Sequence, residues 1–274
     1  MHFDKKNNIK GCSITCYLLE KSRVAKQLKG ERSFHIFYMF LSGADKDMKR
    51  DFFLKPVDQF NYLIGSGCLT VERRSDLNEF LTLKSSLETL SIDLNTQYQI
   101  FQCLAAVLHL GNVTFSPNRE VEAGSKVSVP ADCRKISSLL GLSPDVLERS
   151  LCWRTSQING EVLHIPLSPQ QAADQRDSLA KHLYAKVFDF VVTKINGTLF
   201  RGKVGCSIGV LDIFGFEVFQ VNSFEQLCIN YCNEKLQVYF GIIYHVYYLG
   251  LVFFQRSYFR WRGEDVYRRG SPSN

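Results

Sequence analysis

Asp212, Gly215 and Glu217 stand close together at the end of an apolar run, and residues of these types could handle a phosphate. A carboxylate at a strand end can hold a magnesium ion through water, and a glycine N–H beside it can face a terminal phosphate. The run Ile208–Phe214 is apolar except for Asp212 and does not alternate with polar residues. That pattern predicts a strand buried on both faces, where a carboxylate is costly unless a charged group meets it. Gly215 allows a partner to approach the backbone closely. A helix is expected just beyond, because Asn222 with Glu225, or Ser223 with Gln226, has the spacing of a capping box. Phe224, Leu227, Cys228, Tyr231 and Cys232 then recur at helical spacing and predict one apolar face. Strand, acid, glycine loop and helix is the layout of a nucleotide-sensing switch. The layout alone fits an ordinary strand-to-helix turn with a solvated Asp equally well.

The order of the residues is more specific. Leu211-Asp212-Ile213-Phe214-Gly215-Phe216-Glu217, followed by Asn222-Ser223-Phe224-Glu225-Gln226-Leu227-Cys228-Ile229-Asn230-Tyr231, closely resembles the myosin motor domain at switch II and the start of the relay helix. Ile14–Val24, Glu31–Tyr38, Phe101–Val113 and Arg176–Lys181 are similar to further signatures of that family. The resemblance covers residues 1–237. It implies an α/β, mainly helical fold, part of a P-loop NTPase-type motor: the upper actin-binding subdomain plus pieces of a central mixed sheet, with exposed strand edges. Residues 238–274 read as a non-family tail from aberrant coding. Met1 would fall inside a strand just after switch I, as expected of a truncated chain.

The resemblance also implies roles. Asp212 would hold magnesium through water, Gly215 would donate its N–H to the γ-phosphate of ATP, and Glu217 would pair with a switch I arginine and help place the attacking water. Residues 219–237 would pass the state of the switch onward. Leu151–Pro166, with no helical period, resembles the surface loop that touches the actin filament. Glu161 lies sixteen residues before Asp177, at the position that is acidic or phosphorylatable in the family, and Arg154 stands at the base of the same loop. The departures weigh on the other side. No Gly-x-x-x-x-Gly-Lys-Ser/Thr phosphate loop occurs in the 274 residues, and the switch I arginine is absent. The chain alone is therefore expected neither to bind ATP and magnesium tightly nor to hydrolyse ATP. Light chains belong to the intact protein.

Bulk composition is compatible with all of this. With 45% apolar and 22% charged residues, the chain reads as a soluble globular protein. A net charge of +6 suits an acidic partner but does not choose between a filament and nucleic acid, and the resemblance implies no nucleic acid. The nine cysteines include no Cys-x-x-Cys pair, and the start has no apolar signal-like centre. Reduced thiols in a cytoplasmic, cytoskeletal protein are expected, with Cys228 and Cys232 in a core and no metal site. The apolar run Val238–Phe254 has a basic flank, but its four tyrosines and His245 argue against a membrane span.

The elements needed to position these residues are legible in outline. Met1–Leu19 predicts a hairpin around the polar turn Asp4–Asn8. Short helices are expected after Glu31, ending near Gly43, and after Ser143-Pro144. His35, among aromatics, is expected to pack. Asp76 with Glu79 predicts the cap of a third helix, and a fourth should run from Thr96 to Leu110 and stop at Gly111. Asn118–Pro130 reads as a polar loop. Ser168-Pro169-Gln170-Gln171 combines an N-cap, an N1 proline and an N3 glutamine, and starts the strongest helix, ending at Asn196-Gly197.

Overall fold

The computed structural model describes residues 1–17, 19–158, 160–200, 205–219 and 222–250. The basic end Ser257–Asn274 and the apolar run beyond Gly250 lie outside the described residues. The chain divides into two units, Met1–Gly209 and Val210–Asn274.

The first unit is mainly helical with three small antiparallel sheets. Strands β1 (His2–Phe3) and β2 (Ile9–Gly11) form the expected hairpin. The Asp4 carboxylate accepts from the Lys6 and Asn8 amides at 2.8 and 2.9 Å and closes the turn. Those bonds, led by Asn8, favour its charged form and lower its pKa to about 2. The second strand ends at Gly11, earlier than the apolar run Cys12–Leu19 suggested.

Helices α1 (His35–Gly43), α2 (Lys46–Asp51), α3 (Asn61–Ile64), α4 (Asp76–Thr89) and α5 (Leu94–Leu110) follow. Their core is aromatic: Phe40 stacks on Phe101 at 5.1 Å, and Phe80 meets Phe101 at 5.2 Å. A Cβ on Gly43 would overlap the Phe80 ring, so glycine lets α1 and α4 pack this closely. Helix α4 is capped by Ser75, whose hydroxyl accepts from the Asn78 amide, and not by the Asp76–Glu79 pair. Asp76 is instead drawn inward by Arg32, which is almost fully buried and pairs with it at 2.8 Å. His35 is exposed, contrary to the packing role expected, because α1 buries Phe37, Tyr38, Met39 and Phe40 and turns its first residue outward.

Part of the expected loop Asn118–Pro130 is a strand. β3 (Phe115–Pro117) pairs with β4 (Ser125–Val127), and Ser125 and Val127 are buried. Helices α6 (Pro130–Leu140) and α7 (Pro144–Cys152) pack behind it, α7 capped by Ser143 as expected. The connector Leu151–Pro166 is largely a β-hairpin, β5 (Trp153–Ile158) and β6 (Glu161–Pro166), whose register closes with Ile158 paired to Glu161. Helix α8 (Pro169–Leu199) has the full capping box, with Ser168 and Gln171 bonded reciprocally at 3.0 and 3.3 Å. It runs slightly past the expected Asn196-Gly197 stop. Asn196 also bonds both backbone groups of Ile14.

The long buried strand expected at Ile208–Phe214 is absent. β7 is only Cys206–Ser207, paired with β1. The ladder gives out at the Met1–Ile208 bonds, 2.8 and 3.0 Å, where its partner strand ends. Beyond Ile208 the run continues as irregular chain, and Val210 is 87% exposed.

The described residues of the second unit are that irregular segment, to Phe219, and helix α9 (Phe224–Gly250). At the start of α9 the Ser223 amide donates to Gln226 Oε1 at 2.9 Å, which is one half of the second capping pair read from sequence, while the Ser223 hydroxyl bonds the Gln226 side chain at 2.6 Å. Among the described residues no helix is long and apolar enough to cross a membrane.

Candidate functional site

In the second unit, Asp212, Gly215 and Glu217 lie on one irregular segment that α9 holds in place. The Glu217 amide donates to Asn230 Oδ1 at 2.8 Å, and Asn230 Nδ2 donates back to the Glu217 carbonyl at 2.7 Å. Asn233 Nδ2 donates to the Phe214 carbonyl at 2.9 Å. The helix therefore grips the backbone on both sides of Gly215 through two side-chain amides. A side-chain amide suits this task, because its oxygen accepts from an N–H while its NH2 donates to a C=O of the same residue.

Asp212 is exposed, so the burial cost expected for its charge does not arise. A Cβ at Gly215 would meet nothing within 4 Å, and no left-handed backbone angle demands glycine there. Gly215 itself is exposed. Glu217 is half-buried. As a cation site the set is thin. Magnesium takes near-octahedral oxygen coordination, and among the described residues no three His, Cys, Asp or Glu side chains gather to hold a metal.

In the first unit, Arg154 and Glu161 are both exposed on the β5–β6 hairpin. The register pairs Arg154 with Ile165, Ser156 with Leu163 and Ile158 with Glu161, so Arg154 and Glu161 share one face. Four strand residues separate their levels, about 13 Å along the hairpin. Arg154 is near its base and Glu161 begins the strand after the turn. Val162 and Leu163 beside Glu161 are 58% and 41% exposed. The hairpin is anchored at its root, where Leu167 is buried and its amide donates to the Cys152 carbonyl at 2.8 Å.

Two features escaped the sequence reading. Asn230 stands in the motif that carries the resemblance and Asn233 does not, and neither was given a role, although two amide side chains three residues apart on a helix face one direction. The second feature is a node beneath the hairpin. Asp177 accepts from the buried Tyr62 hydroxyl at 2.6 Å and from Arg176 Nη2 at 2.7 Å, while Arg176 Nη1 donates to the Val113 carbonyl at 2.7 Å. Burial first, then the Asp177 carboxylate, pushes the Tyr62 phenol pKa far up, so it stays a donor. The node ties α3, the end of α5 and α8 together.

The sequence matches the family described as Myosin head (motor domain) over residues 1–262, running past Gln237. It is 44% identical over 245 residues to Myosin-K heavy chain of Dictyostelium discoideum, covering 88% of this chain and 28% of that protein. It is 39% identical over 264 residues to Myosin-I heavy chain of the same organism, covering 95% of this chain and 11% of the relative. It is 42% identical over 251 residues to Myosin-2B of Naumovozyma castellii, covering 90% and 17%. The chain thus spans under a third of the length of these relatives. A match along nearly the whole sequence, with relatives at this identity, leaves one assignment: the chain belongs to the myosin head (motor domain) family.

Proposed function

We propose that this chain forms part of the head of an actin-based, ATP-driven motor, as its upper actin-binding subdomain and pieces of a P-loop NTPase-type sheet. In this reading the β5–β6 hairpin faces the filament, and residues 210–219 on α9 are the segment that senses nucleotide. The observation that carries it is the hairpin. It projects Arg154, Glu161 and two apolar side chains into solvent from a rigid root, in a chain of this family. Arg154 and Glu161 give the face one charge of each sign, Leu163 adds apolar contact on that face, and Val162 is exposed on the other. Such a mixture suits a protein partner better than a phosphate backbone, which attracts only cations. The protein is proposed to act in the cytoplasm on the cytoskeleton, with no nucleic-acid or membrane partner, and light chains would bind elsewhere in the complete molecule.

Asp212, Gly215 and Glu217 are assigned to the nucleotide side of the complete head, with Asp212 on the magnesium side and Gly215 on the phosphate side. The 274 residues include no phosphate-loop motif, and their own donors do not complete a site. Taken alone, the chain is proposed neither to hold ATP tightly nor to hydrolyse it. That absence favours a second reading for the isolated chain, a filament binder indifferent to nucleotide, against a product that does not bind at all. Co-sedimentation of the purified chain with actin filaments, with and without ATP, tests this. Binding that ATP leaves unchanged is expected. Release by ATP overturns the claim that the chain alone does not respond to nucleotide, and no binding overturns the hairpin's assignment for this chain.

A further inference from the structure

The start of α4 holds more hydrogen-bond donors than acceptors. Arg32, whose side chain is 4% exposed, gives Nη2 to Asp76 Oδ1 at 2.8 Å, but its buried Nε and Nη1 have no hydrogen-bond partner. Arg74 gives Nη2 to Glu79 at 3.1 Å, and its buried Nε, 4.0 Å from Asp76 Oδ1, makes no hydrogen bond. Arg73 is exposed, stands at a left-handed φ of 58°, and among the described residues makes no ion pair. Three guanidinium groups thus meet two carboxylates, Asp76 and Glu79. The surplus of positive charge reaches His35, whose pKa is lowered by burial first and then by Arg74 and Arg32. Ser75 stands between Arg74 and Asp76. It is exposed and caps α4, its hydroxyl accepting from the Asn78 amide at 3.3 Å. The connection from Ile64 to Asp76 carries no helix or strand, so no ladder hydrogen bonds have to break for another protein to grip it.

We propose that Ser75 is a phosphorylation site for a basophilic serine kinase, and that the phosphate is then held at the N-terminus of α4 by Arg73 and Arg74. An exposed serine preceded by two arginines suits a kinase cleft lined with carboxylates. In the transfer, Ser75 Oγ attacks the γ-phosphorus of ATP. The Oγ–P bond forms, the bond from that phosphorus to the β,γ-bridging oxygen breaks, ADP leaves, and the hydroxyl proton passes to the kinase's catalytic carboxylate. The product carries a charge of about −1.5 to −2 and three acceptor oxygens, beside arginines with unused N–H groups. The helix dipole and the unpaired first-turn amides of α4 also favour negative charge there. Asp76 and Glu79 oppose it. Arg32 keeps Asp76 neutralised in the interior, and Arg74 can leave Glu79, which is half exposed and can turn to water. The phosphate therefore replaces a solvent-facing ion pair with a stronger one at the helix end.

The test uses the folded 274-residue chain, ATP and a panel of basophilic kinases, with a synthetic peptide of residues 67–82 as the control substrate and sites mapped by mass spectrometry. One phosphate at Ser75 is expected, and none there in Ser75→Ala. Arg73→Gln, at an exposed residue without an ion pair, should keep wild-type helicity by circular dichroism and slow the modification about tenfold. The phosphorylated chain should melt about 2 °C above the unmodified one. A peptide that no kinase of the panel modifies overturns the proposal. So does a modified peptide with an unmodified folded chain, phosphate only at other residues, or a rate indifferent to Arg73→Gln. A phosphorylated chain that melts no higher than the unmodified one overturns the seat of the phosphate on the arginines.

Discussion

Replacing Asn230 by alanine removes both hydrogen bonds that fix Glu217 to α9, at 2.8 and 2.7 Å. A typical intramolecular hydrogen bond contributes about 1 kcal/mol net, so the pair should hold the segment by about 2 kcal/mol. At 1.4 kcal/mol per decade, that is about a 30-fold change in local opening. Because Glu217 is only half-buried, water will satisfy the released groups, and no larger penalty for orphaned polar atoms is due. Amide hydrogen exchange reads this directly, since the Glu217 N–H loses its acceptor. The rate at Glu217 should rise about 30-fold in Asn230→Ala, while amides in the middle of α9 stay protected. Asn233→Ala releases only the Phe214 carbonyl from this segment and should loosen it by about fivefold. If Glu217 exchange changes less than twofold with α9 intact, the side-chain amides are not what holds the segment.

The first unit yields further expectations. Tyr62→Phe keeps the ring against Gly111 but removes the bond to Asp177, and should lower stability by about 1.5–3 kcal/mol, read as a lower urea midpoint at unchanged slope. Asp76→Asn leaves Arg32 buried without its countercharge and should cost about 3–5 kcal/mol, against about 1 kcal/mol for the cap variant Ser75→Ala. An equal effect of the two would place Asp76 in the cap after all. Burial lowers the His109 pKa, and its Nε2 bonds the Phe52 carbonyl at 2.9 Å. The unfolded chain therefore takes up a proton near pH 6.5 that the folded chain resists. The stability tied to neutral His109 is present above that pH and is lost as pH falls. The stability of His109→Gln should change less between pH 7 and 5 than that of the wild type.

How much of this could be read beforehand depended on how local each signal was. The capping residues Ser143 and Ser168 act within one helical turn and do what their spacing predicted, and Ser223 forms one half of its box, through its amide. Asp76 failed as a cap because a distant residue, Arg32, competes for its carboxylate. The β5–β6 hairpin was legible, since Asn159-Gly160 between β-rich runs is a strong turn signal, but the search for a helical period passed over it. The strand at Ile208–Phe214 could not be judged from its own residues, because a strand exists only where a neighbour pairs with it. Asp212, Gly215 and Glu217 were found through the order of their residues. Their hold on α9 depends on Asn230 and Asn233, whose role emerges only in three dimensions.

The filament assignment of the hairpin is tested most directly by actin-activated ATP turnover of a complete head carrying this segment, with Glu161→Lys compared with the wild type. Glu161 is exposed on the hairpin and far from its buried root, so the substitution should leave folding and filament-free turnover unchanged. Turnover in the presence of filaments should slow. Actin-activated turnover equal to the wild type, at matched filament concentration, would contradict the account.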